Sequence, residues 1–210
     1  MKAIKLFFIL SFFHSFISLS NAKTRIRDVY AAAPDSIFPL LTKNNRLDQI
    51  DICEYRLRMT EGKNNMQAVI KNRFDDRAEL LVLSDEYLKL QLSEHCVVEM
   101  RLLSDSTFCM VQTYNAPALD SRVRLFDTAW HESLQNVERP AVDEFLSDDI
   151  DADVRLFLQA LPLIKASLSE DDDSIVFELQ TSELTREQRE KAEGKIHTVI
   201  RKVNNFQKQS

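Results

Sequence analysis

Glu79-Leu80-Leu81-Val82-Leu83-Ser84-Asp85-Glu86-Tyr87-Leu88-Lys89-Leu90-Gln91-Leu92-Ser93-Glu94-His95-Cys96-Val97-Val98-Glu99-Met100-Arg101-Leu102 is the stretch that decides the fold. Leu80 to Leu83 form an unbroken apolar run, as buried strands do. Leu88, Leu90 and Leu92 then alternate with Lys89 and Gln91, and Val98, Met100 and Leu102 alternate with Glu99 and Arg101. A period of two with short polar breaks describes consecutive antiparallel strands.

The same period extends outward in both directions. Upstream, Val69 and Ile70 precede a turn at Asp75-Asp76. Downstream, Phe108-Cys109-Met110-Val111 follows the Ser104–Thr107 turn, and Val123 and Leu125 alternate with Arg122 and Arg124. Tyr55, Leu57 and Met59 alternate with Arg56 and Arg58, which predicts a first strand beginning near Cys53 and ending in the Glu61–Asn65 turn cluster. Before that strand, Ile37, Leu40, Leu41, Leu47 and Ile50 recur at helical spacing. The expectation there is a helical segment over residues 35–50, in two pieces broken at Lys43-Asn44-Asn45.

After the meander, residues 131–151 look irregular. Val154, Phe157, Leu158 and Leu161 then mark a helix with an aspartate cap and a stop at Pro162. Residues 163–168 and 175–179 flank Glu170-Asp171-Asp172-Asp173 as a hairpin, and a charged helix follows from about Ser182 to Lys191. Residues 196–203 read equally as strand or as continued helix. The expected fold class is α+β: an N-terminal helical segment, an antiparallel meander sheet, and a C-terminal helix-hairpin-helix closing over it.

Residues 1–22 carry a different signal. Lys2 and Lys5 precede an apolar run over residues 6–18, and Ser20-Asn21-Ala22 supplies small residues for cleavage. This is the plan of a signal peptide, too short for a spanning helix. It predicts a periplasmic or secreted chain starting at Lys23, with no transmembrane segment after cleavage. Residues 23–203 would form one α+β domain and residues 204–210 a frayed tail.

The chain of 210 residues has 27 Lys and Arg against 33 Asp and Glu, for a net charge of −6. That balance argues against nucleic acid as a partner. Its two glycines exclude the dinucleotide, P-loop and nucleophile-elbow motifs, each of which needs several glycines close together.

Several blocks resemble a known family. Pro34-Asp35-Ser36-Ile37-Phe38-Pro39-Leu40-Leu41-Thr42-Lys43-Asn44-Asn45-Arg46-Leu47-Asp48 resembles the opening signature of the domain of unknown function 3256 family of Bacteroidales. Leu83–Tyr87, Ala118–Val123, Asp127–Trp130 and Lys165–Ser169 resemble later blocks in the expected order. The resemblance implies an exported bacterial protein and assigns no activity and no catalytic residue. The stretch 191–203 looks more helical than that family leads one to expect.

Candidate chemistry is sparse. A turn centred on Asp105-Ser106 would set Cys109 opposite Leu102 and Cys96 opposite Asn115. The two cysteines would then share a sheet face, six positions out of register and too far apart to bridge. Cys53, Cys96 and Cys109 are therefore expected as core thiols, with one disulfide or a reactive thiol as the alternatives. His95, His131 and His197 are widely spaced and fit no zinc motif.

Acids concentrate at Asp143, Glu144, Asp148, Asp149, Asp151, Asp153 and Glu170–Asp173. They fit no EF-hand, because Val154 and Ala160 stand where that loop needs Gly and Glu. A solvated acidic face is expected, with a weak calcium site as the alternative. Tyr30, Tyr55, Tyr87, Tyr114 and Trp130 do not cluster, and Trp130 reads as a core anchor. No catalytic, cofactor or metal residue is assigned. The functional expectation is a non-catalytic exported protein that binds an envelope or extracellular partner. The alternative is a hydrolase whose site is assembled from scattered His and carboxylate residues.

Overall fold

The computed structural model describes residues 23–58, 68–135 and 137–203. Residues 1–22, expected as a signal peptide, Met59 and the expected turn at Glu61–Asn65, and the expected tail at 204–210 lie outside the described residues. The element order is α1 (Ile26–Ala31), α2 (Lys43–Arg58), β1 (Ala68–Lys71), β2 (Arg77–Leu83), β3 (Tyr87–Ser93), β4 (Cys96–Leu102), β5 (Thr107–Asn115), β6 (Leu119–Asp127), a 3-10 turn (Val142–Phe145), α3 (Ala152–Ala160), β7 (Ile164–Leu168), β8 (Ser174–Leu179), α4 (Arg186–Ala192) and β9 (Val199–Lys202). Strands β1 to β6 pair in chain order as an antiparallel meander, and β7-β8-β9 make a second antiparallel sheet. The class is α+β.

The large sheet is buried on both faces. Leu88, Leu90, Val98, Met100, Phe108, Met110 and Phe126 pack with Ile26, Tyr30, Phe38 and Ile50 from the α1 and α2 region. On the other face, Tyr87, Cys109, Val111 and Leu125 pack with Val154, Leu158, Ala166, Ile175 and Phe177. That second face also carries Glu99, Arg101, Thr113 and Ser121, all buried. Read from the sequence, these polar alternates belong on a wet face. The second sheet covers them instead.

Strand β7 is an edge strand of the small sheet and crosses the large one. In its ladder with β8, Ile164, Ala166 and Leu168 turn their N–H groups away from the partner strand. Each N–H finds a side chain of the large sheet: Ile164 N donates to Asp120 Oδ1 at 3.0 Å, Ala166 N to Ser121 Oγ at 2.8 Å, and Leu168 N to Glu99 Oε2 at 2.9 Å. An edge strand normally leaves such groups open to other chains. Here three side chains close them.

The N-terminal region corrects the sequence reading. No strand begins near Cys53: residues 43–58 are the single helix α2. Lys43-Asn44-Asn45 starts this helix and does not break one. Thr42 N donates to Asn45 Oδ1 at 3.0 Å, and Asn45 N donates back to Thr42 Oγ1 at 3.1 Å, a reciprocal cap. The buried stripe of α2 is Arg46, Gln49, Ile50 and Cys53. Two of those four are polar, which hides the helical period. Residues 35–40 form turns, while α1 lies earlier in the chain, at a place the periodicity did not mark.

Two further corrections concern register and the C-terminus. Cys96 pairs with Tyr114, and Arg101 with Cys109, one residue away from the expected register. A one-residue slip exchanges the faces, so Cys96 packs on the helix side and Cys109 on the small-sheet side. At the C-terminus the unit does not end as helix-hairpin-helix. Residues 199–202 are β9, which pairs with β8 and completes the small sheet.

Candidate functional site

The turns at one end of the large sheet meet the tip of the β7–β8 hairpin and enclose a cleft of about 790 Å³. Glu86 reaches it from the β2–β3 turn and Asp105 from the β4–β5 turn. Asp171–Asp173 come from the hairpin tip and Lys202 from β9. Lys23 and Thr24 run along its wall, with Thr24 Oγ1 donating to the Asp105 carbonyl at 2.8 Å.

Six of the charges that line the cleft, on Lys23, Glu86, Arg101, Asp172, Asp173 and Lys202, are paired among themselves. Lys23 Nζ sits 2.6 Å from Glu86 Oε1. That hydrogen bond and its charge raise the lysine pKa and lower the glutamate's. Arg101, buried at the back, donates through Nε to Asp173 at 3.3 Å and through Nη1 to the Glu170 carbonyl at 2.8 Å. Lys202 pairs with Asp172. Lys202, then Ser174, hold the Asp172 carboxyl well below the usual carboxylate range. The sequence marked Asp171–Asp173 as part of an acidic window. It gave no sign that Arg101, a strand residue 69 positions earlier than Glu170, would anchor that tip.

The two halves of the acidic window are served by different cations. Asp143 pairs with Arg155, Glu144 with Arg201, Asp149 with Lys195 and Asp151 with Lys191. The hairpin half takes Arg101 and Lys202. Arg201 and Lys202 are neighbours in β9, and successive strand residues point to opposite faces. One serves the 3-10 turn and the other the hairpin. Among the described residues, no group of three or more His, Cys, Asp or Glu is placed to hold a metal ion.

These contacts set the acid response. Asp172 and Glu86 have carboxyls depressed mainly by their lysine partners, and Glu144 has one depressed first by the Ala141 N–H and then by Arg201. A carboxyl depressed by folding adds stability above its unfolded value, near pH 4 for such groups. It loses that stability as pH falls through the lower folded value. Thermal melts should therefore hold level down to about pH 4 and fall below it. Lys202→Met should flatten the fall. A fall of the same size in that variant would show that the Asp172 pair does not contribute.

A second, smaller cavity of about 420 Å³ lies beside the segment after β6. His131 Nδ1 is 2.8 Å from Asp127 Oδ2, and Ser104, Ser106 and Ser133 also line the cavity. The His131 backbone N–H, then its ring, hold the Asp127 carboxyl below its ordinary value. The His131 side chain is 80% exposed. His95 and His197 lie elsewhere, so the structure does not gather the histidines. Trp130 is buried between Phe38, Phe108 and Phe126. Tyr30 and Tyr87 are also buried, whereas Tyr55 and Tyr114 are half exposed.

Cys53, Cys96 and Cys109 are free and buried. Burial raises all three thiols, Cys109 most, with Arg56 opposing the shift at Cys53 and Gln112 at Cys96. A raised thiol carries little thiolate at neutral pH and is a poor nucleophile. Denatured chain alkylated before any reduction should give three free thiols. A count of one would establish a disulfide.

Among the described residues no helix is long and apolar enough to cross a membrane. No curated protein matches the chain. The fold is similar to a solved structure of a domain of an uncharacterized protein from Porphyromonas gingivalis W83. The TM-score is 0.66 at 21% identity, covering 86% of this chain and 94% of that one. The family described as protein of unknown function (DUF3256) matches residues 18–208. That match spans nearly the whole chain and agrees with the blocks at Pro34–Asp48 and beyond: the chain belongs to the DUF3256 family.

Proposed function

We propose that the protein is an exported, non-catalytic binding or interaction protein of the bacterial envelope, acting in the periplasm or outside the cell. One observation carries this reading: among the described residues, the buried groups Glu99, Arg101, Ser121, Arg46 and Tyr30 bond to neighbours that hold the fold. Glu99 and Ser121 close the β7 edge, and Arg101 fastens the hairpin tip. Arg46 binds the Leu41 carbonyl, Tyr30 OH donates to Gln49, and the thiols are raised by burial. Catalysis needs such groups poised at a cleft with pKa values tuned toward reaction. The charged cleft instead offers exchangeable ion pairs, which suit recognition of a polar partner. The Lys2, Lys5 and Ser20-Asn21-Ala22 features support export.

The test uses the tagged chain in its own host. N-terminal sequencing of the periplasmic or secreted fraction should begin at Lys23. A photo-crosslinker at Asp171 in the cleft should trap one discrete partner, and the same group at Glu187 on α4 should not. A chain starting at Met1 in the membrane fraction contradicts the export. Equal trapping at both positions contradicts the cleft.

The Asp127–His131 pair favours a second reading, a hydrolase with a serine nucleophile at the smaller cavity. A fluorophosphonate probe should label Ser104, Ser106 or Ser133 if that reading holds. Unlabelled chain supports the binding reading.

A further inference from the structure

Both ends of the described chain come to the charged cleft. Lys23 and Thr24 run along its wall, and Lys202, the last residue of β9, lines it as well. The next residue, Val203, donates its N–H to the Asp173 carbonyl at 2.8 Å, beside the hairpin tip. The chain that follows Val203 therefore leaves from the rim of the cleft. It reads Asn204-Asn205-Phe206-Gln207-Lys208-Gln209-Ser210, with one lysine, one aromatic ring and no acidic side chain.

The cleft has groups to match that segment. Its ion pairs leave two carboxylates over, Asp105 on the β4–β5 turn and Asp171 on the hairpin tip. Both are exposed, and neither forms an ion pair among the described residues. Asp105 feels the charge of Lys23 only at a distance, because that ammonium lies 2.6 Å from Glu86. Leu103 lines the same cleft and is only partly buried, so it offers an apolar surface next to them. An extended chain covers about 3.3–3.6 Å per residue, so Lys208 reaches about 17 Å from Val203. That reach is ample for a cleft of about 790 Å³.

We propose that residues 204–210 of the chain itself lie across the cleft, with Lys208 between the Asp105 and Asp171 carboxylates and Phe206 against Leu103, and that a partner must displace them to enter. The residues before Lys23 also leave from here, but cleavage at Lys23 removes them. Exposed ion pairs are individually weak and screened by salt. A tethered segment can still hold such a place, because its effective concentration is high. The displacement rests on the reading of the cleft as the partner's site. The cover itself does not, and chain purified without a partner tests it.

Benzoylphenylalanine in place of Phe206 is the probe, in chain purified from its own host. Irradiation should join it, within one chain, to residues 102–105 or 171–173, as read by mass spectrometry of the digest. Asp105→Asn combined with Asp171→Asn should lower that yield about threefold or more, as should about 0.5 M salt. Glu187→Gln on α4 should leave it unchanged. In the host, Phe206→Ser should raise partner trapping by the crosslinker at Asp171 about threefold, because more of the chain is then open. Links between two chains, links mainly outside the cleft, or a yield unmoved by the double variant would each overturn the cover. Trapping unchanged in Phe206→Ser would overturn the displacement. Equal trapping at Asp171 and Glu187 would instead remove the partner's site, with the crosslink in purified chain still deciding the cover.

Discussion

Glu99→Ala should destabilise the chain by about 3 kcal/mol, a large share of the 5–15 kcal/mol that holds a typical domain folded. Glu99 is 5% exposed and sits between the two sheets. Its Oε2 accepts the Leu168 N–H at 2.9 Å, and its Oε1 lies 2.9 Å from Lys89 Nζ. The Tyr87 hydroxyl bonds to it as well. Truncation strands a buried backbone N–H and a buried phenol together, and each orphaned donor costs about 1–3 kcal/mol. Lys89 adds little, because its side chain is 37% exposed and can turn to water. Glu99→Gln keeps an acceptor for Leu168 and should lose roughly half as much. Urea unfolding checks both variants, with an unchanged denaturant slope showing that only stability has moved. A loss under about 1 kcal/mol in Glu99→Ala would mean that this carboxylate does not join the sheets.

Trp130→Ala should cost about 4 kcal/mol, by loss of packing in the opposite core. The Trp130 ring lies 4.8 Å from Phe108, 5.5 Å from Phe126 and 5.9 Å from Phe38 between centroids. Its Nε1 donates to the Val29 carbonyl at 3.0 Å, tying α1 to the end of β6. The residue holds φ at +69°, in the left-handed region that a bulky side chain rarely adopts. The packing outweighs that strain. Trp130→Phe should keep most ring contacts, lose the hydrogen bond and cost about 1–2 kcal/mol. Thermal or urea unfolding of the pair separates the two contributions. Equal losses in both variants would show that the hydrogen bond, and not the ring volume, carries the effect.

The strands of the meander were legible because their apolar residues either alternate, as at Leu88–Leu92, Val98–Leu102 and Val123–Leu125, or run unbroken between polar turns, as at Leu80–Leu83 and Phe108–Val111. The register was not. Ser104 Oγ accepts the N–H groups of Ser106 and Thr107 at 3.2 and 3.1 Å. That closes a three-residue turn centred on Asp105, where a two-residue centre was expected. Cys109 changes face for that reason alone, while Cys96 stays with Val98, Met100 and Leu102. Helix α2 was misread because Arg46 and Gln49 occupy buried positions where the pattern calls for apolar residues.

The cleft was half legible. Its aspartates stand out in the sequence, but Arg101 and Glu99 look like solvent-facing alternates of an amphipathic strand. Only the small sheet, formed by residues some 65 positions or more downstream, buries them. Its third strand stayed open in the sequence because Thr198-Val199-Ile200 follows a charged helix whose end the periodicity alone does not mark. Gly194, at φ +72° just past α4, ends that helix and frees the segment to pair as β9.

The binding reading rests on polar groups being consumed by the fold, and amide hydrogen exchange at β7 tests that most directly. Ile164, Ala166 and Leu168 donate outward from an edge strand, where unprotected amides exchange quickly. With Asp120, Ser121 and Glu99 accepting those three bonds, their exchange should be as slow as that of Met110 and Val111 in the interior strand β5. Exchange at the rate of an open edge would contradict this, and would leave Asp120, Ser121 and Glu99 free for chemistry.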